Sequence, residues 1–472
     1  MSFVDTLVNY GTSNPEKLAI HLPDRAVTFG MVASGIRSVT SALLSSGIDQ
    51  GQIIGVRIEN QIRHLIVVCA LYRLGIASVS LSGQEDPTNA GFKIDATISD
   101  GTQLPIQFGR PVTIKAEWFT LTVNPDNRIP GFASDGQLAR IIMSSGTTGH
   151  PKAIGHTVKT VEDRITIGHQ TLAIAQWDRM LCLPLLTSSL GFGSALQALS
   201  YGHSVLMAES PTDALEMIAL HSVDLLVCNP QHLQAMVEAH NDMPVQTPSL
   251  KLIKYGGDSI PYDLALLVQE KFCKDILCVY SSTETGPIAM GDNTLILDNR
   301  GATGIIAPWV DVEILNTEDK PVTAGTEGRL RVKSPWQGYD IKIGPEATQD
   351  WMYTGDIGSI SPNGVLSLVG RATNAIMIEN TLVSPEAIEQ ALYGFDGIDD
   401  VAAIGMPGAN NKQEIWLAIA SQTVVDETRI RSFLTKKNPL WIITRVAILP
   451  VVYRNEMGKI VRSKIRKKLL NN

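Results

Sequence analysis

The sequence has no Cys-x-x-Cys pair: Cys69, Cys182, Cys228, Cys273 and Cys278 are odd in number and sit mostly among apolar neighbours. That excludes a paired-cysteine framework and suits buried thiols in a reducing compartment, here the cytoplasm. Met1 to Leu18 has no basic segment followed by an apolar core, so no secretory signal is expected. The apolar run Leu65 to Leu81 is interrupted by Arg73 and Gly75, which fits a buried helix followed by a strand rather than a membrane span. Positive charge is not in excess either. A formal net charge of −8 gives no nucleic-acid footprint over the whole chain. The local exception is the basic tail of Lys459, Arg462, Lys464, Arg466, Lys467 and Lys468, which reads as a solvated helix face or as a surface for an acidic partner. Internal repeats and low-complexity tracts are also missing.

What remains has the composition of a globular enzyme, with 44% apolar and 18% charged residues. A chain of 472 residues is long enough for about three average domains. Val32, Ile36, Val39 and Leu43 fall at helical spacing, and Gly47 supplies a stop. Ile53–Ile58 reads as a strand, Gln61–Leu74 as a helix and Ile76–Leu81 as a strand. The alternation resumes with strands near Met180–Leu183, Ser204–Met207, Asp224–Cys228, Leu250–Lys254 and Ile276–Tyr280. Strands alternating with helices predict a parallel sheet covered on both faces, with ligands beyond the carboxyl ends of its strands. From Val310 to Val332 the pattern changes to period two, as in a small β subdomain. A last compact unit begins near Thr373, where Ser384 and Pro385 signal a helix start.

One stretch organises the chemistry. Ser144-Ser145-Gly146-Thr147-Thr148-Gly149-His150-Pro151-Lys152 packs four hydroxyls, two glycines and a lysine into nine positions, straight after the apolar run Ala139 to Met143. Glycines let backbone N–H groups close on a ligand, hydroxyls add donors and the lysine adds charge, which together make a cradle for a polyanion such as a nucleotide triphosphate. A flexible linker has similar composition, but the preceding strand argues against one. A Walker loop needs wider glycine spacing and Gly before its lysine, where Pro151 stands. The stretch instead resembles the signature of the adenylate-forming superfamily, which includes acyl-CoA and aryl-CoA ligases, firefly luciferase and nonribosomal-peptide adenylation domains.

Three further motifs follow in the superfamily's order. Tyr280-Ser281-Ser282-Thr283-Glu284-Thr285-Gly286 offers one carboxylate among hydroxyls, and Mg²⁺ in phosphate-transfer sites is commonly held by one or two carboxylates plus substrate phosphates. The stretch resembles Tyr-Gly-x-Thr-Glu with Ser281 in place of Gly, which implies Glu284 on Mg²⁺, Thr283 on phosphate and Tyr280 facing adenine. Tyr353-Thr354-Gly355-Asp356 taken alone is a turn. Its match to Thr-Gly-Asp implies that Asp356 holds the ribose hydroxyls, and the later Gly370-Arg371 pair implies that Arg371 meets ribose and phosphate. Asn455-Glu456-Met457-Gly458-Lys459 resembles the Gly-Lys signature, in which a lysine from a mobile C-terminal domain enters the adenylation site. Weaker matches at Thr28-Phe29, Asn60, Gly256-Gly257, Gly338-Tyr339, Ser384-Pro385 and Ile388-Glu389 extend the resemblance over nearly the whole chain.

The resemblance implies an α/β fold. A large N-terminal AMP-binding domain, residues 1–371, has mixed and parallel sheets layered with helices plus a small β subdomain. A small mobile α+β C-terminal domain, residues 374–472, follows a hinge near Thr373. It implies an ATP- and Mg²⁺-dependent ligase that turns a small-molecule carboxylic acid into an acyl adenylate and passes it to a thiol, CoA or the phosphopantetheine of a carrier protein. The alternatives are a stand-alone enzyme loading a carrier protein and a degenerate nucleotide-binding protein without turnover. Nucleotide-binding residues would be Ser144, Ser145, Gly146, Thr147, Thr148, Gly149, Lys152, Gly256, Gly257, Tyr280, Asp356 and Arg371. Lys459, Glu284 and Thr283 would act in catalysis, and Thr187, Ser188, Gly191 and Asp258 would line the acyl pocket. No nucleic-acid partner and no membrane insertion are expected. Departures from the family pattern fall on the acyl and thioester half: Thr187 where His is frequent, Thr373 at a hinge that is usually Asp or Lys, and Asn380 for a common Gly. No Phe-Asp pair of the kind that holds an α-amino group follows position 184, which favours a hydrophobic or aromatic acid without that amine.

Overall fold

The computed structural model describes residues 2–81, 91–101, 108–120, 129–144, 152–298, 302–316, 318–345, 350–378, 381–408, 413–454 and 460–470. Among them the strands form two large sheets and two small ones. The largest has thirteen strands and two halves of different character. Six strands run parallel, in the spatial order Ile276–Ser282, Leu252–Tyr255, Leu225–Cys228, Arg179–Cys182, Ser204–Leu206 and Leu18–His21, and Ala26–Thr28 closes that edge antiparallel. On its other side Ile276–Ser282 meets Gly286–Asp292 antiparallel. The sheet continues antiparallel through Ala302–Ile306, Val365–Arg371, Met352–Ile360, Gly328–Lys333 and Asp311–Leu315.

The period-two strands expected as a small β subdomain are therefore bonded onto the edge of the main sheet, although they pack over a cluster of their own around Ile288, Ile314, Leu330 and Leu366. Alternation predicts strands but not which edge they join, because the partner edge is remote in sequence.

The second sheet runs Tyr339–Asp340, Lys152–Thr157, Leu138–Ser144, Ala77–Ser80, Ile53–Arg57, Ala96–Ser99 and Arg110–Thr113. The helix between its parallel strands, Gln61–Arg73, starts at Asn60, whose side-chain oxygen accepts the Arg63 N–H at 3.0 Å. The expected helix around Val32 spans Phe29–Leu44 and buries Val32, Ile36, Val39 and Leu43. Its cap is Thr28, so the Thr28-Phe29 match to the family pattern has a local role as a helix start.

After Arg371 the strands no longer join the large sheets. Ile376–Ile378 pairs with Thr381–Val383, and a three-stranded sheet of Asp400–Pro407, Gln413–Ala420 and Ile443–Leu449 packs with helices Pro385–Ala391, Glu427–Lys437 and Arg462–Leu470. Ser384 caps the first of these helices with Pro385 in its opening turn, as its sequence predicts. Thr373 lies exposed in a tight turn in which the Arg371 carbonyl accepts N–H bonds from both Asn374 and Ala375 at 3.0 Å.

All five cysteines are buried and unpaired, and burial pushes the Cys69 and Cys182 thiols up to about 12. Among the described residues no helix is long and apolar enough to cross a membrane.

Candidate active site

The antiparallel half of the main sheet brings Asp356 and Arg371 into register on neighbouring strands. Arg371 Nε lies 3.1 Å from Asp356 Oδ1, and its Nη1 donates to the Thr354 carbonyl at 2.7 Å. The Asp356 amide donates to Thr354 Oγ1 at 3.1 Å, which fixes the turn carrying the carboxylate. From the parallel half, Tyr280 donates its hydroxyl to Asp356 Oδ2. Burial, and then the Asp356 charge, hold the Tyr280 hydroxyl well above its ordinary range, so it remains a donor. Tyr280, Asp356 and Arg371 are therefore joined directly, and Asp356 is only 8% exposed.

The turn carrying Thr283 and Glu284 follows Tyr280 at once. Ser282 Oγ accepts the Thr285 N–H at 3.0 Å, and Gly286 at φ 75° lets the chain double back as a hairpin. Its carbonyls are gripped by Arg164 on the helix Val158–Thr171. Arg164 Nη1 donates to the Thr283 carbonyl at 2.9 Å, Nη2 to those of Glu284 at 2.9 Å and Trp336 at 2.8 Å, and Nε to Trp336 at 3.2 Å. The Gly338 N–H adds a bond to the Glu284 carbonyl at 2.7 Å. Burial lowers the Arg164 guanidinium to about 10, still charged at neutral pH; burial, and then the Arg164 charge, hold His156, whose Nε2 lies 3.0 Å from the Thr283 carbonyl, well below its ordinary range and so neutral. With both carbonyls held by Arg164, the Thr283 and Glu284 side chains lie half-buried just after Tyr280 in the chain.

The segment Ser334–Asp340 stitches the two large sheets together beside this turn. Ser334 Oγ donates to the Thr285 carbonyl at 2.7 Å, and Tyr339 pairs with Gly155 of the second sheet. At Gly338 a Cβ would stand 2.5 Å from His156 Cδ2, so this crossing requires glycine.

Ser144 ends one strand and Lys152 begins the next, paired in register across an antiparallel hairpin. Ser145, Gly146, Thr147, Thr148 and Gly149, between them, lie outside the described residues. Since a strand rather than a helix follows, the glycine-rich stretch differs from a Walker loop in its connection as well as its spacing. Gly256 is buried next to the strand of Tyr280, with its N–H on the Cys228 carbonyl at 3.2 Å, and Gly257 is exposed at φ 92°.

Of the four acyl-pocket candidates, Ser188 and Gly191 bond each other, Ser188 Oγ accepting the Gly191 N–H at 3.0 Å as the cap of helix Ser189–Ser200. Thr187 is half-buried, and exposed Asp258 accepts the Ser259 N–H at 2.8 Å. Lys459 and Asn380 lie outside the described residues. The residues flanking 455–459, Arg454 and Ile460, pair in an antiparallel bridge. Arg454 is also held to Asp400 at 2.8 Å, and Arg462 to Glu389 at 2.7 Å.

Residues 115–339 match the family model described as AMP-binding enzyme. The chain therefore carries an AMP-binding enzyme domain over those residues. The chain is 23% identical to a long-chain-fatty-acid–CoA ligase of Mycobacterium tuberculosis, over 94% of this chain and 93% of that one. It is 25% identical to a medium/long-chain-fatty-acid–[acyl-carrier-protein] ligase of the same species, over 69% of this chain and 65% of that one. Its fold is shared with the o-succinylbenzoate CoA synthetase of Bacillus subtilis in complex with an acyl-adenylate intermediate. That match has a TM-score of 0.86 at 19% identity and covers 98% and 97% of the two chains.

Among the described residues no cluster of three or more His, Cys, Asp or Glu could hold a metal. Glu284 offers a single carboxylate, a donor set that fits a Mg²⁺ ion sharing its remaining positions with substrate phosphates. Arg164 is the functional residue that motif reading misses. Its signal is spacing: Thr160, Arg164 and Gly168 recur four apart, so the arginine lies on a helix face lined by small residues that admit it to the interior.

Proposed function

We propose that this chain is an AMP-forming acid–thiol ligase. The junction of Tyr280, Asp356 and Arg371, placed beside the Glu284 turn by a sheet that changes direction there, carries the reading. An aromatic ring, a buried carboxylate and a guanidinium supply what an adenosine ribose and its α-phosphate require. The acid's carboxylate oxygen attacks the α-phosphorus of ATP, the bond to the β-phosphate breaks, and pyrophosphate leaves the acyl adenylate behind. A thiolate then adds to the acyl carbonyl, the bond from that carbon to AMP breaks, and the thioester and AMP depart.

In this scheme residues 144–152 hold the departing phosphates, Gly256 and Gly257 border the nucleotide, and Thr283 bonds phosphate. Mg²⁺ bound at Glu284 would neutralise phosphate charge. Lys459 offsets the repulsion between attacking carboxylate and phosphate, as an ammonium kept from water does most strongly. Thr187, Ser188, Gly191 and Asp258 border the acyl group. We place the nucleotide-binding domain at 1–371 and a mobile domain at 374–472, turning about the exposed loop at Thr373. The buried free thiols support a cytoplasmic setting.

The acceptor is CoA on our first reading. A phosphopantetheinylated carrier protein is the second, favoured by the exposed Lys464 and Lys467 on the helix Arg462–Leu470, since carrier proteins of that kind are acidic partners. Acid-dependent exchange of labelled pyrophosphate into ATP over a broad acid panel tests the activity. No exchange with any acid would leave a nucleotide-binding protein without turnover. Thioester formation with CoA against holo-carrier protein, on an acid that passes, separates the acceptors.

A further inference from the structure

Lys254 is the third residue of the strand Leu252–Tyr255 and is only 5% exposed. Alternation sends Ile253 and Tyr255 into the cluster formed with the helices Pro211–His221, Pro230–Asp242 and Tyr262–Lys271, and turns Lys254 to the opposite face. Its in-register neighbours there are Val227 and Leu277, with Cys182 beyond Val227, and all three belong to the main apolar core. Among the described residues its ammonium has no ion pair and no hydrogen bond, and burial pushes it down to about 8. The group in its field is the Cys182 thiol, which burial keeps protonated and uncharged.

An unpaired cation left with so little contact with water costs the free protein stability, and an apolar residue in this row would pack at no such cost. Lys254 also occupies a telling depth. It precedes Gly256 by two residues, so it sits about 6.6 Å along the strand below the carboxyl end where ligands of parallel sheets bind. The helix Ser189–Ser200 approaches the same row: the Cys182 thiol lies 3.9 Å from the Gly191 carbonyl, and one turn along, the buried Ser194 hydroxyl has no partner.

We infer that Lys254 receives a second anionic group of the acid that the enzyme activates, so that the substrate class is a carboxylic acid with an apolar body and a further carboxylate at its far end. The inference rests on the ligase reading and narrows it. The row of Val227, Leu277 and Cys182 accepts the body, and Lys254 pairs with the distal carboxylate. A monoacid of the same length would leave the ammonium unpaired.

The test uses the full-length protein, wild type with Lys254→Met and Lys254→Arg, in pyrophosphate exchange with matched acids: glutarate against pentanoate, adipate against hexanoate, pimelate against heptanoate, and terephthalate against p-toluate. The wild type should favour at least one diacid by about tenfold or more in kcat/KM, as a site built around a polar group rejects the analogue that lacks it. Lys254→Met should abolish or reverse that preference, and Lys254→Arg should keep part of it. The favoured diacid should also raise the Tm of the wild type and not that of Lys254→Met. Wild-type monoacids equal to or better than diacids, or an unchanged ratio in Lys254→Met, overturn the inference and leave the ligase reading standing. A diacid Tm shift lost in Lys254→Met without any exchange upholds the Lys254 site and overturns the ligase. Neither exchange nor a Tm shift with any acid overturns both.

Discussion

Asp356 and Arg371 face each other in register across two antiparallel strands, and their side chains meet at 3.1 Å. The pair is reinforced by Tyr280, which arrives from the other half of the sheet to the second carboxylate oxygen. Cutting the charge at its centre should weaken the nucleotide site without emptying the space.

Asp356→Asn is accordingly expected to lose AMP affinity by roughly 10–100-fold, the size of about 1.5–3 kcal/mol for hydrogen bonds to a charged group. Isothermal titration with AMP checks this. An affinity within twofold of the wild type would remove Asp356 from nucleotide binding.

Arg164 touches no nucleotide in our scheme, yet its forked guanidinium holds three carbonyls around Glu284. A lysine keeps the charge but lacks the planar fork, so Arg164→Lys should leave a carbonyl unmet and cost about 1–3 kcal/mol of stability in urea. The more telling readout is Mg²⁺: exchange should require a higher Mg²⁺ concentration for half-maximal rate, because the turn presenting Glu284 is looser. Lost stability with an unchanged Mg²⁺ requirement would make the role of Arg164 purely structural.

Lys459→Ala should lower acid-dependent exchange by about 10²-fold or more while ATP affinity changes little, since the lysine acts on charge that develops in the transition state. Exchange at the wild-type rate would refute the role given to Lys459.

The pH dependence of stability should report Lys254. Its ammonium is lowered to about 8 in the folded chain against an ordinary 10.5, so between those values the unfolded chain holds the proton and the folded chain does not. Stability of the wild type relative to Lys254→Met therefore rises as pH climbs from about 8 to about 10.5, by up to roughly 3 kcal/mol, and is flat below. Parallel urea midpoints for the two proteins across this window would show that Lys254 titrates normally.

Local signals in the sequence carry much of this architecture. The helix over Val32 to Leu43, the cap at Ser384 and the strand feeding Tyr280 follow from spacing and from residue types that act within one turn. The period-two strands after Val310 were equally plain as strands, yet their place on the edge of the main sheet depends on hydrogen bonds to residues far away along the chain. Motifs marked Glu284 and Asp356 because those side chains stand in short polar runs. Arg164 and Lys254 carry no such flag, as each looks like one more charge in an ordinary helix or strand until burial removes its water. Charged groups that work from the interior are legible in the fold, where the carbonyls around Arg164 and the lack of a described partner at Lys254 can be seen.

The reversal of direction after Ser282 also sets a clock. Tyr280 and Asp356 are 76 residues apart in the chain, and every other strand on the parallel side precedes the one that carries Tyr280. During synthesis at about 5–20 residues per second, Tyr280 is made roughly 4–15 s before its carboxylate partner. A nascent chain therefore completes its parallel half before it can grip a nucleotide by both residues, and binding waits until the antiparallel edge has been laid down.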